Sequence, residues 1–200
     1  VSTPAPTAYW DGVHHTDDSI RRAVVAWLND PAATEARLGH ISTWETSGVT
    51  DMEFLFSACD WDSRCNSAAA AFKEDIGAWD TSGVTTMHRM FAEASAFNQD
   101  IGGWAVHNVR YMSFMFMGAS AFNQDLSSWE TSAITNMFQM FGGASSFNQD
   151  ISGWRVDSVT DMSHMFSGAS VFDQDLGWCV DDGANLDYAF TNTPCEATSC

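Results

Sequence analysis

A carboxylate returns every 25 residues along this chain, at Asp75, Asp100, Asp125, Asp150 and Asp175. Asn98, Asn123 and Asn148 run beside it, and Asp173 takes the Asn place in the last unit. Stacked carboxylate and amide oxygens are hard donors of the kind Ca²⁺ accepts. The same side chains also close tight turns by accepting backbone N–H bonds. No EF-hand-type spacing accompanies the ladder, so turn closure is its expected role, for the Asn as for the Asp, with Ca²⁺ binding the alternative. Trp44, Trp79, Trp104, Trp129, Trp154 and Trp178 form a second series. It could offer an aromatic strip to a carbohydrate, but a core column is the expected role. The third group is the thiols. Cys59, Cys65, Cys179, Cys195 and Cys200 all avoid the regular units, which points to structural disulfides. The expected pairs are Cys59–Cys65, and Cys179 with Cys195 or Cys200. Zinc is disfavoured, since there is no C-x-x-C pair and no His near the C-terminal cysteines. The histidines (His14, His15, His40, His88, His107, His164) show no ligand spacing. Nucleophile elbow, P-loop and dinucleotide fingerprint are all missing. The chain is therefore expected to be non-enzymatic and to use no cofactor.

What positions these residues is a repeat. Phe72, Phe97, Phe122, Phe147 and Phe172 keep the same 25-residue step as the Asp ladder, as do Met87, Met112, Met137 and Met162. Ile41, Ile76, Ile101, Leu126 and Ile151 each precede a Trp by three. The first interval is ten residues longer, with the insertion inside Ala58 to Ala71, and the last is one shorter. Within the unit that starts at Phe147, the residues Val159, Met162, Met165, Phe166 and Ala169 follow helical spacing. Ser158 three before Asp161 resembles a capping box. These signals predict a short helix in one half of the unit. Interleaved polar and apolar residues from Phe147 to Trp154 predict a short strand in the other half, paired in parallel with its neighbours. Stacking would bury the Trp, Phe and Met columns, with Met filling gaps against ring edges. The expected organisation is an N-terminal extension (1–16), a helical cap (17–40) begun by Asp17-Asp18-Ser19 and ended by Pro31, repeats (41–177) and a cysteine-containing C-terminal cap (178–200).

The phrases FNQDI, W-x-x-S-x-V-T-x-M and M-F-x-G-A-S resemble the BspA-like leucine-rich-repeat surface proteins, whose mycoplasma-lipoprotein-type repeat is about 25 residues long. The resemblance runs from about Ile41 to Leu176. It implies an α/β repeat fold, a right-handed leucine-rich-repeat-like solenoid of about six turns. It also implies placement at a cell surface or outside the cell, and adhesion or protein binding without a defined ligand. The insertion and the cysteine-bearing ends depart from the commonest family repeat.

Composition narrows the partners. The formal charge is −18, with Lys and Arg totalling 8. Such a surface repels phosphate backbones, so no nucleic-acid partner is expected. No apolar run approaches a membrane span, so no membrane insertion is expected. The start at Val1-Ser2-Thr3-Pro4 lacks a signal-peptide pattern and reads as mature or trimmed. Leu, Ile, Val and Phe make up only 19% of the residues, a fraction found in disordered chains, but 9 Trp and 10 Met supply what a stack can bury. The expected function is a protein-binding or structural module, possible as a subunit or linker of a larger cell-surface, extracellular or lumenal assembly. The alternative is a Ca²⁺- or carbohydrate-binding module. Candidate partner contacts are Trp61, between the insertion cysteines, and His107 and Arg155. The latter two lie where Ala105-Val106-His107-Asn108 and Arg155-Val156-Asp157-Ser158 depart from the Asp80-Thr81-Ser82-Gly83 type. Thr46, Thr81 and Thr131 also raise an ice- or mineral-binding face, broken by Val106 and Val156.

Overall fold

Thr16 and Ser19 reciprocally cap the helix that opens the fold, each side chain taking up the other's backbone N–H. This helix, α1 (Asp17–Asn29), turns Ile20, Ala23, Val24 and Trp27 into the core. Pro31 closes it and also begins α2 (Pro31–Leu38), with Asp30 accepting from Ala33 N at 3.0 Å as its N-cap. Gly39 then ends α2 at φ 75°. These elements belong to a computed structural model that describes residues 14–195.

The repeats follow, and their backbone is neither helix nor strand. Consider the unit around Met162. Met162, His164, Phe166 and Gly168 donate their N–H groups to Asn185, Asp187, Ala189 and Thr191 of the next unit, at 2.8–2.9 Å. The residues between them bond backwards within their own unit: Met165 N to Met162 O, Ser167 N to His164 O and Ala169 N to Phe166 O. Alternate donors thus go forward to the neighbour and back by three residues. The same pattern recurs in the preceding units; Met112, Phe114, Phe116 and Gly118, for example, bond to Asn136, Phe138, Met140 and Gly142.

This corrects the α/β expectation. Among the described residues there is no β-strand and no sheet. Parallel pairing is confined to five isolated bridges, from Asp51↔Thr86 to Asp161↔Asn185. The expected helix over Val159–Ala169 is a chain of turns, interrupted by His164 at φ 56° and Gly168 at φ 77°. Its three-residue curl buries Met162, Met165, Phe166 and Ala169, and so mimics helical spacing. Asp161 closes an Asx turn, accepting from Ser163 N at 3.0 Å, and does not start a helix. The expected strand from Phe147 to Trp154 has no backbone ladder, because side chains make its cross-links. Asn148 N donates to Asn123 Oδ1 at 2.9 Å, and Gln149 Nε2 reaches Asn123 O and Oδ1. The α/β solenoid of leucine-rich-repeat type is therefore not this architecture, and among the described residues helix is confined to α1, α2 and two 3-10 turns (Ile41–Thr43, Ser67–Ala71).

The core is columnar. Phe56, Phe91, Phe116, Phe141, Phe166 and Phe190 stack with ring centroids 5.5–5.7 Å apart. Phe97, Phe122, Phe147 and Phe172 form a second stack at 5.9–6.1 Å. At the N-terminal end α1 stands in for a preceding unit. Asp17 accepts from Thr50 N (2.7 Å) and Asp51 N (3.0 Å); the donors at the Thr50 position in later units, Thr85, Arg110, Thr135 and Thr160, find the carbonyl of the unit before. Arg21 donates to the carbonyls of Asp51 and Glu53, the acceptor positions that Thr86 and His88 fill for their predecessor. An edge that would otherwise invite pairing is closed.

Candidate functional site

The Asp ladder is a set of turn staples. Asp75, Asp100, Asp125 and Asp150 each accept one backbone N–H two residues on, from Gly77, Gly102, Ser127 and Ser152, at 2.9 Å. The bonds from Ser127 hold the Asp125 carboxyl below the usual range, and those from Ser152 do the same for Asp150. All five ladder carboxylates, Asp175 included, are exposed. Among the described residues no group of three or more His, Cys, Asp or Glu is arranged to hold a metal ion. The asparagines differ from expectation: Asn98, Asn123 and Asn148 link one unit to the next, not the two ends of a single turn.

The Trp column lies in the core. Trp79, Trp104, Trp129 and Trp154 are 3% exposed, and each Nε1 donates to a carbonyl of the preceding unit: Ile41, Ile76, Ile101 and Leu126. No face is left for a sugar. Thr46, Thr81 and Thr131 are buried too, donating to Asp80 O, Ala105 O and Arg155 O. Val106 and Val156 fill the same inner column, so that part of the sequence variation is core exchange, and no threonine face exists there.

Cys59 and Cys65 are joined by a disulfide. Among the described residues no disulfide joins Cys179, exposed, to Cys195, buried. Cys200 lies outside the described residues. Trp61 is 57% exposed on the disulfide loop. His107 is exposed in a turn, and Arg155 pairs with Asp157 at 3.0 Å on the surface. No ring contact, hydrogen bond or ion pair brings Trp61, His107 and Arg155 together among the described residues.

A different set of residues does come together. Phe54, Arg89, Phe114, Gln139, His164 and Tyr188 occupy one repeat position, all with φ between 51° and 60°. Left-handed backbone disfavours any residue with a Cβ, by roughly 1–2 kcal/mol each. A second left-handed column lies four residues on. There the chain uses Gly118, Gly143 and Gly168, with Glu93 and Asn192 at its ends. Glycine is thus the choice where only the backbone matters. The first column instead carries large side chains, and all of them except Gln139, which shares the register, join ring or cation contacts that form a continuous strip. Ring contacts run Phe54–His88 (5.5 Å), His88–Phe114 (5.7 Å), Phe114–Phe138 (4.8 Å), Phe138–His164 (6.0 Å) and His164–Tyr188 (5.0 Å). Arg89 spans the first part, its guanidinium 4.3 Å from the Phe114 ring centroid and 5.5 Å from that of Phe54. Arg64, from the disulfide loop, lies 3.8 Å over Phe54. Tyr188 (67% exposed) brings the strip into solvent.

At the N-terminal end the strip opens into a cleft of about 370 Å³. Arg21 and Val25 of α1, Ser63 and Arg64 of the loop, and Phe54 and Leu55 are among the residues that line it. Arg21 pairs with Asp51 at 2.6 Å and Arg64 with Asp62 at 2.7 Å. The Arg64 bond holds the Asp62 carboxyl at about 2. Sequence reasoning missed the strip. The signal for it lies in the M-x-x-M steps: His88-Arg89, Ser113-Phe114, Phe138-Gln139 and Ser163-His164 vary between paired methionines that do not.

One consequence is a pH dependence. His88 is half-buried between Phe54 and Phe114, with Nδ1 2.6 Å from Ser113 Oγ. Burial pushes its pKa below the ordinary 6.5, with Glu53 opposing and Arg89 and Arg64 reinforcing. His15, half-buried against Trp44, shifts the same way. The unfolded chain then binds more protons than the folded one just below pH 6.5, so stability is full above that pH and falls as the pH drops through it. Urea midpoints measured from pH 7.5 to 5 should fall, and His88→Asn should flatten part of that slope.

Stacked coil-built repeats carrying one side-chain-rich face define the class of protein. The chain belongs to the family described as Mycoplasma protein of unknown function, DUF285, whose model matches residues 31–131 and 101–197. No curated protein and no solved structure matches it. No helix among the described residues is long and apolar enough to cross a membrane.

Proposed function

We propose that this protein is a non-enzymatic protein-binding module of a cell-surface, extracellular or lumenal assembly, and that the Phe54–Tyr188 strip is its recognition face. The observation that carries the reading is the left-handed column. Six large side chains of five types stand where the backbone favours glycine, Phe54 buried and the other five at least partly exposed, beside a column where glycine is largely used. Strain of this kind is retained where something other than the fold selects the residue. Aromatic and Arg side chains are also the types that dominate binding energy at protein interfaces. The Cys59–Cys65 disulfide supports an oxidising compartment. Arg64 of that loop lines the cleft with Arg21 and Val25 of α1, which extends the face towards α1, and Trp61 is exposed on the same loop.

The reading makes an unusual stability prediction. Gln139→Gly removes a large side chain from left-handed backbone. It should leave stability unchanged or raise it by about 0.5–1 kcal/mol, since the relieved strain exceeds the added chain entropy. A urea titration checks it. A loss beyond 1 kcal/mol would make the side chain structural and remove the main support for the proposal. In parallel, a variant combining Arg89→Gly, Phe114→Gly and His164→Gly should fail to recover proteins that the unaltered chain recovers from native membranes or matrix at physiological salt. Equal recovery would count against the strip.

A further inference from the structure

Among the described residues, the final unit ends on an unfilled register. In each preceding interface the donor positions send N–H groups forward, and in the final one these are Met162, His164, Phe166 and Gly168. One step on, the donor positions are Leu186, Tyr188, Phe190 and Asn192. Their N–H groups bond to no carbonyl among the described residues. The backbone there is already set: Tyr188 and Asn192 lie at φ 60°, matching His164 (56°) and Gly168 (77°). The Phe190 ring stacks on Phe166 at 5.5 Å, and among the described residues no next ring follows it in the stack. Beside it, Met165, Trp178, Val180 and Leu186 line a small apolar hollow.

We infer that this edge is a second docking site, taking a segment of a partner polypeptide that curls as the repeats do and adds to the stack as one more unit. The inter-unit interface, repeated along the whole molecule, defines what fits. The segment presents a carbonyl at every second residue and an aromatic side chain over Phe190. Asp181, Asp182 and Asp187 are exposed around the edge, so a cationic side chain opposite Asp187 completes the match. A second copy does not fit. In a head-to-tail pair the carbonyls of Asp51 and Glu53 are already taken by Arg21. In a tail-to-tail pair donors would face donors. Cys195 N bonds to Phe172 O and its Sγ to Gln174 O, so the last described residue is bonded to the segment before the final unit and not to these four donors. The inference does not rest on the strip.

The test uses the chain's own acceptor segment as probe. A synthetic peptide of residues 135–146 carries the carbonyls of Asn136, Phe138, Met140 and Gly142, which already accept from such an edge. Added to the full chain, it should slow amide hydrogen exchange at Leu186, Tyr188, Phe190 and Asn192 at least tenfold, read by NMR. The peptide with Phe141→Asp should need at least tenfold more to do so, and the peptide with Phe138→Arg, opposite Asp187, should need less. Unchanged exchange at these four amides would overturn the inference. So would protection in the free chain at low concentration, which would mean that its own tail fills the edge. Protection that grows with protein concentration alone would assign the edge to a second copy and overturn it equally. A Phe138→Arg peptide no better than the parent would remove the cationic requirement.

Discussion

Phe116→Ala is expected to lower the unfolding free energy by about 3–5 kcal/mol, the range for deleting a buried aromatic ring. Phe116 is fully buried. Its ring lies between Phe91 (5.7 Å) and Phe141 (5.5 Å) in one stack and packs face to face on Phe122 (4.0 Å) in the other. The site collapses poorly, because its neighbours are held in register by main-chain bonds on both sides: Phe91 N to Met115 O, and Phe116 N to Met140 O. Repeat stability is close to a sum of unit and interface terms, and this change weakens two interfaces at once. Urea unfolding followed by Trp fluorescence should show the loss. A drop below 1 kcal/mol would mean that the columns do not carry the fold.

Asp17→Ala should cost about 1.5–3 kcal/mol, the range for hydrogen bonds to a charged group. The carboxylate accepts from Thr50 N, Thr50 Oγ1 and Asp51 N, so its removal orphans the first unit's donors and loosens α1. Burial works against ionisation of Asp17, but the bonds from Thr50 and Asp51, with Arg21 nearby, outweigh it and hold the carboxyl below the ordinary 3.8. The folded-state pKa is depressed, so this contribution is full above pH 3.8 and is lost as the pH falls through the lower folded value. Acid titration of the unaltered chain and of Asp17→Ala should therefore converge at low pH. Curves that stay parallel down to pH 2 would reject the carboxylate's role.

The core was legible in the residues. The Trp, Phe and Met columns recur at fixed steps, and they are buried. The backbone was not, for two physical reasons. Turns that bond back by three residues place Met162, Met165 and Phe166 at the spacing an amphipathic helix would use. Side-chain amides such as Gln149 Nε2 on Asn123 replace the ladder that alternating residues suggest. The strip was hidden for a third reason. Nothing local marks Arg89, Phe114 or Gln139 as left-handed, since each contradicts the glycine rule and only the surrounding bonds impose the conformation. The variation at His107 and Arg155 was legible but divides differently, with Val106 and Val156 belonging to the core.

The most direct test of the recognition face is site-specific cross-linking. A photoreactive benzoylphenylalanine is placed at position 139 in the strip or, as a comparison, at position 125 in the exposed Asp ladder. Each protein is illuminated in native membrane or matrix fractions at physiological salt. A discrete protein adduct from position 139, with none from position 125, is the predicted result. An adduct from position 125 alone, or none from either, would contradict it.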